Sequence, residues 1–253
     1  MPWLAGRSEA AVSRLLDQFG LARKQTRAAV RSPDPAYAAK RAAIRAALAD
    51  PDGGPVCFLD EVTLHRQPRP APVWAPTGPV APTVARSTRA EAELRVVAAL
   101  DARTGQVVAL RRGRVTAATL RQCFTDLVAA YPPGTRLRVV LDNWPVHFHP
   151  GVLAALEPQQ SPFPFPRPPS WPAPPPVRAD GGGLPVQLLP LPTYASWLNP
   201  VEKLWRKLRQ EVVHAHPWAD DLPALGAAVD AFLAGFADGS PELLRYAGLA
   251  PTD

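Results

Sequence analysis

The stretch LPTYASWLNPVEKLWRKLRQ, residues 191–210, poses the question on which both fold and chemistry turn. Asn199 is a good helix N-cap, Pro200 suits the first helical position, and Glu202 falls at the third. That is close to a capping box with Asn in place of Ser or Thr. On this window alone, capping is the simpler account of Glu202. Beyond it, Val201, Leu204, Trp205, Leu208 and Val212 share one helical face, and Lys203, Arg206, Lys207 and Gln210 share the other. A charged face is usually a solvated one. Lys203, Arg206 and Lys207 are also candidates for phosphate contact.

Working outward, the run before this helix, LPVQLLPLPT, reads as a strand. So does RLRVVLDNWPVH, which runs into Asp142, and so does PVCFLDEVTLHR, which is closed by Asp60. In the last of these, alternation puts Phe58 and Asp60 on one face and Cys57 and Leu59 on the other. ELRVVAALDARTGQVVALRRG reads as two strands joined at residues 102–105. Helical periods cover residues 8–19, ended by Gly20, then PDPAYAAKRAAIRAALAD, TAATLRQCFTDLVAAY, a short GVLAALE, and LPALGAAVDAFLAGFA as the final helix. In order this is an α/β domain. Its mixed sheet has a three-strand antiparallel start, followed by parallel strands with helical crossovers.

Two segments stand outside this pattern. Residues 158–183, PQQSPFPFPRPPSWPAPPPVRADGGG, hold too much proline for helix or central strand and read as an inserted loop. Residues 1–50 carry nine Lys and Arg against four Asp and Glu, so five of the net charge of +6 lie there. Arg23, Lys24, Arg27 and Arg31 form the basic run, which suits sequence-independent phosphate contact. The division expected is therefore a helical basic segment over 1–50 and an α/β domain over 51–253. Cys57 and Cys123 give neither a disulfide framework nor a zinc motif, and His147-x-His149 and His214-x-His216 lack a matching ligand set. No run spans a membrane, no signal-peptide core opens the chain, and a soluble cytoplasmic protein is expected. With no Gly-x-Ser-x-Gly elbow and no P-loop, hydrolase-triad and nucleotide-triphosphatase readings lack support.

Asp60, Asp142 and Glu202 each follow an apolar strand, where functional sites of α/β sheets cluster. If those strands lie side by side, three carboxylates converge, and their mutual repulsion calls for a hard divalent cation. Two such ions suit phosphoryl transfer. The blocks FLDEVTLHR, VVLDNWPVHFHP and LPTYASWLNPVEKLWRKLRQ resemble the three signature blocks of mariner-type DDE transposases of bacterial insertion sequences, the third being the most specific. The resemblance implies an RNase H-like fold and a DNA strand-transfer activity dependent on two Mg²⁺ or Mn²⁺ ions. Asp60, Asp142 and Glu202 match the catalytic and metal-binding acids, with Asn143, His147 and Asn199 as supporting residues. The partners implied are transposon ends and target DNA, the target a TA step, with a homodimer as a further candidate. The alternatives are a remnant that binds DNA without cleaving it, and an RNase H-like nuclease without transposition. The interval from Asp142 to Glu202 is 60 positions, against a family interval in the mid-thirties; setting aside the 26 residues of 158–183 leaves 34. The insertion is thus expected to bulge from the domain without moving the acids. In front, where the family carries two helix-turn-helix modules, a single helix and its basic tail are read.

Overall fold

The computed structural model describes residues 8–22, 31–172 and 182–250. The chain divides into two units, Met1–Arg31 and Ser32–Asp253. In the first, helix α1 (Glu9–Gln18) starts at Ser8, whose side chain accepts from the Ala11 amide, and Gly20 beyond it takes φ +66°. Helix α1 buries no residue. Arg31 is exposed, and Arg23, Lys24 and Arg27 lie outside the described residues.

The second unit is built on five strands: β1 (Val56–His65), β2 (Glu93–Asp101), β3 (Val107–Arg112), β4 (Leu137–Leu141) and β5 (Val186–Pro190), in the order β3-β2-β1-β4-β5. The β1–β2 and β2–β3 pairs are antiparallel, and β1–β4 and β4–β5 are parallel. The mixed sheet is therefore the one expected, and the fold is RNase H-like. Strand β1 does not end at Asp60. It runs on to His65 against β2, while its pairing with β4 stops at Phe58 opposite Val140. The ladder forks there, because the chain leaves β4 at Leu141 while β1 still has a partner on its other side.

Alternation along β1 divides the core in two. Phe58, Val62 and Leu64 join Val96, Leu100 and Val140 under one helical layer, and Cys57 and Leu59 join Val97, Val139 and Leu188 under the other. The first layer contains α2 (Tyr37–Ala49), α5 (Val201–Leu208), α6 (Leu222–Ala234) and α7 (Pro241–Ala247). The second contains α3 (Ala117–Ala129) and α4 (Pro150–Leu153). Each fully buried Leu, Val or Phe is worth about 1.5–3 kcal/mol, against at most about 1 kcal/mol for an exposed ion pair, so these faces hold the architecture. Helix α7 escapes the sequence reading because it is only seven residues long. The turn expected at residues 102–105 closes the β2–β3 hairpin. Gly105 there takes φ +71°, and a Cβ on it would clash with the Ser240 carbonyl oxygen.

The boundary between units falls at residue 31 rather than 50, since α2 belongs with the sheet. Ile44 and Ala47 are core residues. In the loop before α2, Asp34 Oδ2 accepts from the Thr193 amide and from Lys40 Nζ, both at 2.8 Å, and Ser32 donates to the Thr193 carbonyl. Two short side chains thus grip both polar groups of one peptide residue in the loop after β5, where Tyr194 takes φ 53°.

The proline-rich segment packs back onto the domain instead of bulging freely. Gln159 accepts from the Leu188 amide at 2.8 Å and donates to the Val186 carbonyl at 3.1 Å, satisfying the outer edge of β5. Phe165 stacks on Phe148 at 4.6 Å, Trp171 meets His149 at 4.7 Å, and Lys40 lies over the Phe163 ring. Proline bars regular structure but not burial of the aromatic residues between prolines. Residues 173–181 lie outside the described residues.

Candidate active site

The three candidate acids stand on the elements that border this fork: Asp60 in β1, Asp142 after β4 and Glu202 in α5. Asp60 follows Leu59 on the α5 face of β1. Its Oδ2 accepts from the indole N–H of Trp205 at 2.9 Å, one turn inside α5. Glu202, exposed at the start of the same helix, lies close enough for its charge to act on Asp60. Burial first, then the charges of Glu61 and Glu202, push the Asp60 carboxyl up to about 7 despite the Trp205 hydrogen bond.

Asp142 directly follows β4, the neighbour of β1. It caps its own turn by accepting from the Trp144 amide at 2.9 Å, and half of its side chain is in solvent. His147, fully buried, reaches Asp142 Oδ1 with Nδ1 at 3.1 Å and Glu61 Oε1 with Nε2 at 2.8 Å. Burial alone would lower the His147 pKa, but the two carboxylates raise it to about 10, so both ring nitrogens carry protons and donate. The same contact holds Asp142 below the usual carboxylate range against the effect of burial.

The supporting asparagines fill the fork. Asn143 Nδ2 donates to the Leu191 carbonyl at 2.7 Å. Asn199 Nδ2 donates to the Leu59 carbonyl, which has lost its strand partner on the β4 side, and its Oδ1 accepts from the Val201 amide, both at 3.3 Å. This corrects the capping reading. The helix begins at Val201 with Pro200 as the flanking residue, so Glu202 stands at the second position and makes no reciprocal cap. Asn199 faces the sheet as well as the helix, and Glu202 is left free for another role.

Of the α5 cations, Lys203 and Arg206 are exposed and make no ion pair among the described residues. Lys207 is paired with Glu211 and lies over the Tyr246 ring, which weakens its case as a phosphate contact. Glu61 is the residue the sequence reading passed over. Its signal was the acidic pair Asp60-Glu61 itself: alternation must send the two carboxylates to opposite faces, one toward α5 and one toward His147.

A family model for DDE superfamily endonucleases matches residues 55–223, about two thirds of the chain. The chain belongs to the DDE superfamily endonucleases. Among solved structures, this DDE endonuclease is similar to the Mos1 transposase paired-end complex with left transposon end (TM-score 0.60, 17% identity) and the Mos1 mariner paired end complex with Mn (TM-score 0.60, 17% identity). Each match covers 95% of this chain and 67% of that one. The Mos1 Strand Transfer Complex gives a TM-score of 0.58 at 18% identity, covering 95% of this chain and 66% of that one. The likeness is one of fold, and the DDE endonuclease spans about two thirds of the length of those Mos1 chains. No curated protein matches it. Among its described residues, no helix is long and apolar enough to cross a membrane.

The donor set suits a hard divalent cation. Asp60, Asp142 and Glu202 are all carboxylates, and burial first, then the charges of Glu61 and Glu202, raise the Asp60 carboxyl. Among the described residues, no three His, Cys, Asp or Glu side chains are grouped so that they could hold a metal ion. Asp142 instead leans on His147, and Glu202 is in solvent.

Proposed function

We propose that this domain is the catalytic part of a DNA transposase, which cleaves phosphodiester bonds at the ends of a mobile element and joins the freed strand to target DNA. Asp60, Asp142 and Glu202 are the acids of the reaction. The observation that carries the reading is the fork itself. β1 parts from β4 two residues before Asp60, β4 ends one residue before Asp142, and the helix after β5 opens on Glu202 beside Asp60.

The three acids would hold the divalent ions, and Mos1 paired-end complexes with Mn and with Mg support that choice. A pair of Mg²⁺ or Mn²⁺ ions, when bound, would supply activation of the nucleophile and stabilisation of the leaving oxygen. The chain's own residues set the geometry. Trp205 fixes one oxygen of Asp60, His147 and the Trp144 amide fix one oxygen of Asp142, and Lys203 and Arg206 offer charge to phosphates. In the first step a water oxygen bonds to phosphorus as the bond to the 3′ oxygen breaks, leaving a 3′-hydroxyl and a 5′-phosphate. In the second, that 3′-hydroxyl attacks a target phosphodiester and displaces its 3′ oxygen, so the number of ester bonds is unchanged. In both steps the nucleophile's proton passes to the leaving oxygen or to solvent. DNA is the partner, held in part through Arg23, Lys24, Arg27 and Arg31. Two element ends call for two copies of the site, which makes a homodimer part of the proposal.

The test is nicking of supercoiled plasmid DNA in Mg²⁺ or Mn²⁺. Wild-type protein should convert it to the open circle, and Asp142→Asn, of nearly the same shape, should not. Equal nicking by both proteins would overturn the assignment.

A further inference from the structure

β5 is an outer strand of the sheet, and the proline-rich insertion occupies its open side. The Pro185 carbonyl accepts from the Leu137 amide, and the Leu191 amide donates to the Leu141 carbonyl, so alternate residues from 185 to 191 turn their backbone groups toward β4. The backbone groups of Val186, Leu188 and Pro190 therefore face outward.

A further strand starts along this edge and stops. Leu184 donates to the Ala155 carbonyl and accepts from the Glu157 amide, both at 2.9 Å, in a parallel bridge to Leu156. Gly183 lies so close to this bridge that a Cβ on it would clash with the Leu156 carbonyl. In that register the Val186 carbonyl and the Leu188 amide would next meet the backbone N–H and C=O of residue 159. The side chain of Gln159 takes both places: Nε2 donates to the Val186 carbonyl at 3.1 Å, and Oε1 accepts from the Leu188 amide at 2.8 Å. Gln187 does the same in return. Its Nε2 donates to the Pro158 carbonyl at 3.0 Å, and its Oε1 accepts from the Gln160 amide at 3.1 Å. Each glutamine clasps the backbone on either side of the other.

The substitution decides what the sheet presents outward. A strand added to an edge offers a new edge of its own, and a side-chain amide does not. Pro162, Pro164 and Pro166 follow, with no N–H to donate. The outward donors of β5 are all accounted for: the Val186 amide bonds to the Leu184 carbonyl at 2.7 Å, Gln159 holds the Leu188 amide, and Pro190 has none. Charged side chains commonly guard an exposed edge, and the β5 sequence, VQLLP, contains none.

We propose that residues 157–166 form a strap that withholds the edge of β5 from a second copy of this chain. Uncovered, two such edges would pair antiparallel about a two-fold axis, each presenting the same groups to the other. The inference does not rest on the catalytic reading.

Two measurements on DNA-free protein test it: sedimentation over a range of concentrations, and hydrogen exchange at the Leu188 amide at the lowest of them. Wild-type protein sets the reference for both. Gln159→Ala with Gln187→Ala should speed Leu188 exchange about tenfold and add a concentration-dependent association beyond that of wild type. Gln159→Ala with Gln187→Lys loses the same clasp but brings like charges together across the paired edges. It should show the fast exchange without the added association. If the double alanine variant does not fold, Gln159→Leu, which keeps the bulk and leaves Gln187 in place, takes its role. Fast exchange without added association in the alanine variant would overturn the strap, as would association that the lysine does not relieve. Unchanged exchange at Leu188, with or without association, would show that the clasp does not close this edge.

Discussion

His147 Nε2 lies 2.8 Å from Oε1 of Glu61, the residue directly after Asp60 in β1. The same imidazole reaches Asp142 through its other nitrogen, so one buried cation ties the first acidic block to the second across the fork. Removing it would leave Glu61 poorly compensated in a side chain only 14% exposed. Loss of one partner of a buried pair costs about 3 kcal/mol or more. His147→Ala is therefore expected to lower urea-unfolding stability by about that amount and to reduce nicking, and His147→Gln, which keeps a donor, to recover part of both. Unchanged unfolding in His147→Ala would show that the bridge does not hold the fork.

Trp205 acts on the first acid in a different way. Its ring belongs to the core, and only its N–H serves Asp60. Trp205→Phe should keep the packing while releasing the carboxylate. Loss of a hydrogen bond that orients a metal-binding carboxylate typically reduces metal affinity or activity about tenfold or more. The expected result is slower nicking, partly rescued by higher Mg²⁺, with little change in melting temperature. A variant as active as wild type at limiting Mg²⁺ would remove the positioning role.

The clamp between Asp34 and Thr193 predicts acid sensitivity. Burial works to raise the Asp34 pKa, but Lys40 and the Thr193 and Ala36 amides outweigh it and hold the carboxyl down at about 2, from 3.8. The folded value is depressed, so its stabilisation is present above pH 3.8 and is lost as pH falls toward 2. The contribution is about 2 kcal/mol. Asp34→Asn should lower stability at neutral pH and flatten its dependence between pH 4 and 2, read by chemical unfolding at a series of pH values. Parallel pH profiles for the two proteins would count against the clamp.

The packed half of the proline-rich segment predicts that its removal is not neutral. Phe165 packs with Phe148 and the core beneath it, and Gln159 completes the edge of β5. Phe165→Ala should cost about 1–3 kcal/mol, less than a fully buried Phe because the ring is only half-buried. Deleting residues 158–183 should cost more than that. A deletion variant that melts at the wild-type temperature would restore the view of this segment as a free loop.

The basic run of the first unit is expected to act without reading bases. Replacing Arg23, Lys24, Arg27 and Arg31 by Ala should weaken binding to all duplexes by a similar factor and reduce the salt slope. Titrations with the element's terminal repeat and with scrambled DNA, at fixed salt, measure this. A large preference of the wild type for the repeat would contradict it.

Local features carried most of the fold in the sequence alone. The alternation of Phe58 and Asp60 against Cys57 and Leu59, the stripe of Val201, Leu204, Trp205 and Leu208, and the hairpin closed at Gly105 are short-range patterns. They depend on the periods of strand and helix, which neighbouring residues set. Asp142 and Glu202 stand at changes of period, after β4 and at the start of α5, which is what singles them out in the sequence. What remained hidden depended on residues far apart in the chain. That Asp60 sits inside β1 rather than at its end follows from pairing with β2, which no feature of β1 itself reveals. The tie between Glu61 and His147 spans 86 positions, and the grip of Asp34 on Thr193 spans 159. The proline-rich segment looked free because proline removes regular structure, while its aromatic rings found their partners only once Phe148 and His149 had been placed beside them. Strand order and register alone bring such groups together, and both are set by burial of the two faces of one sheet, a property of the whole chain.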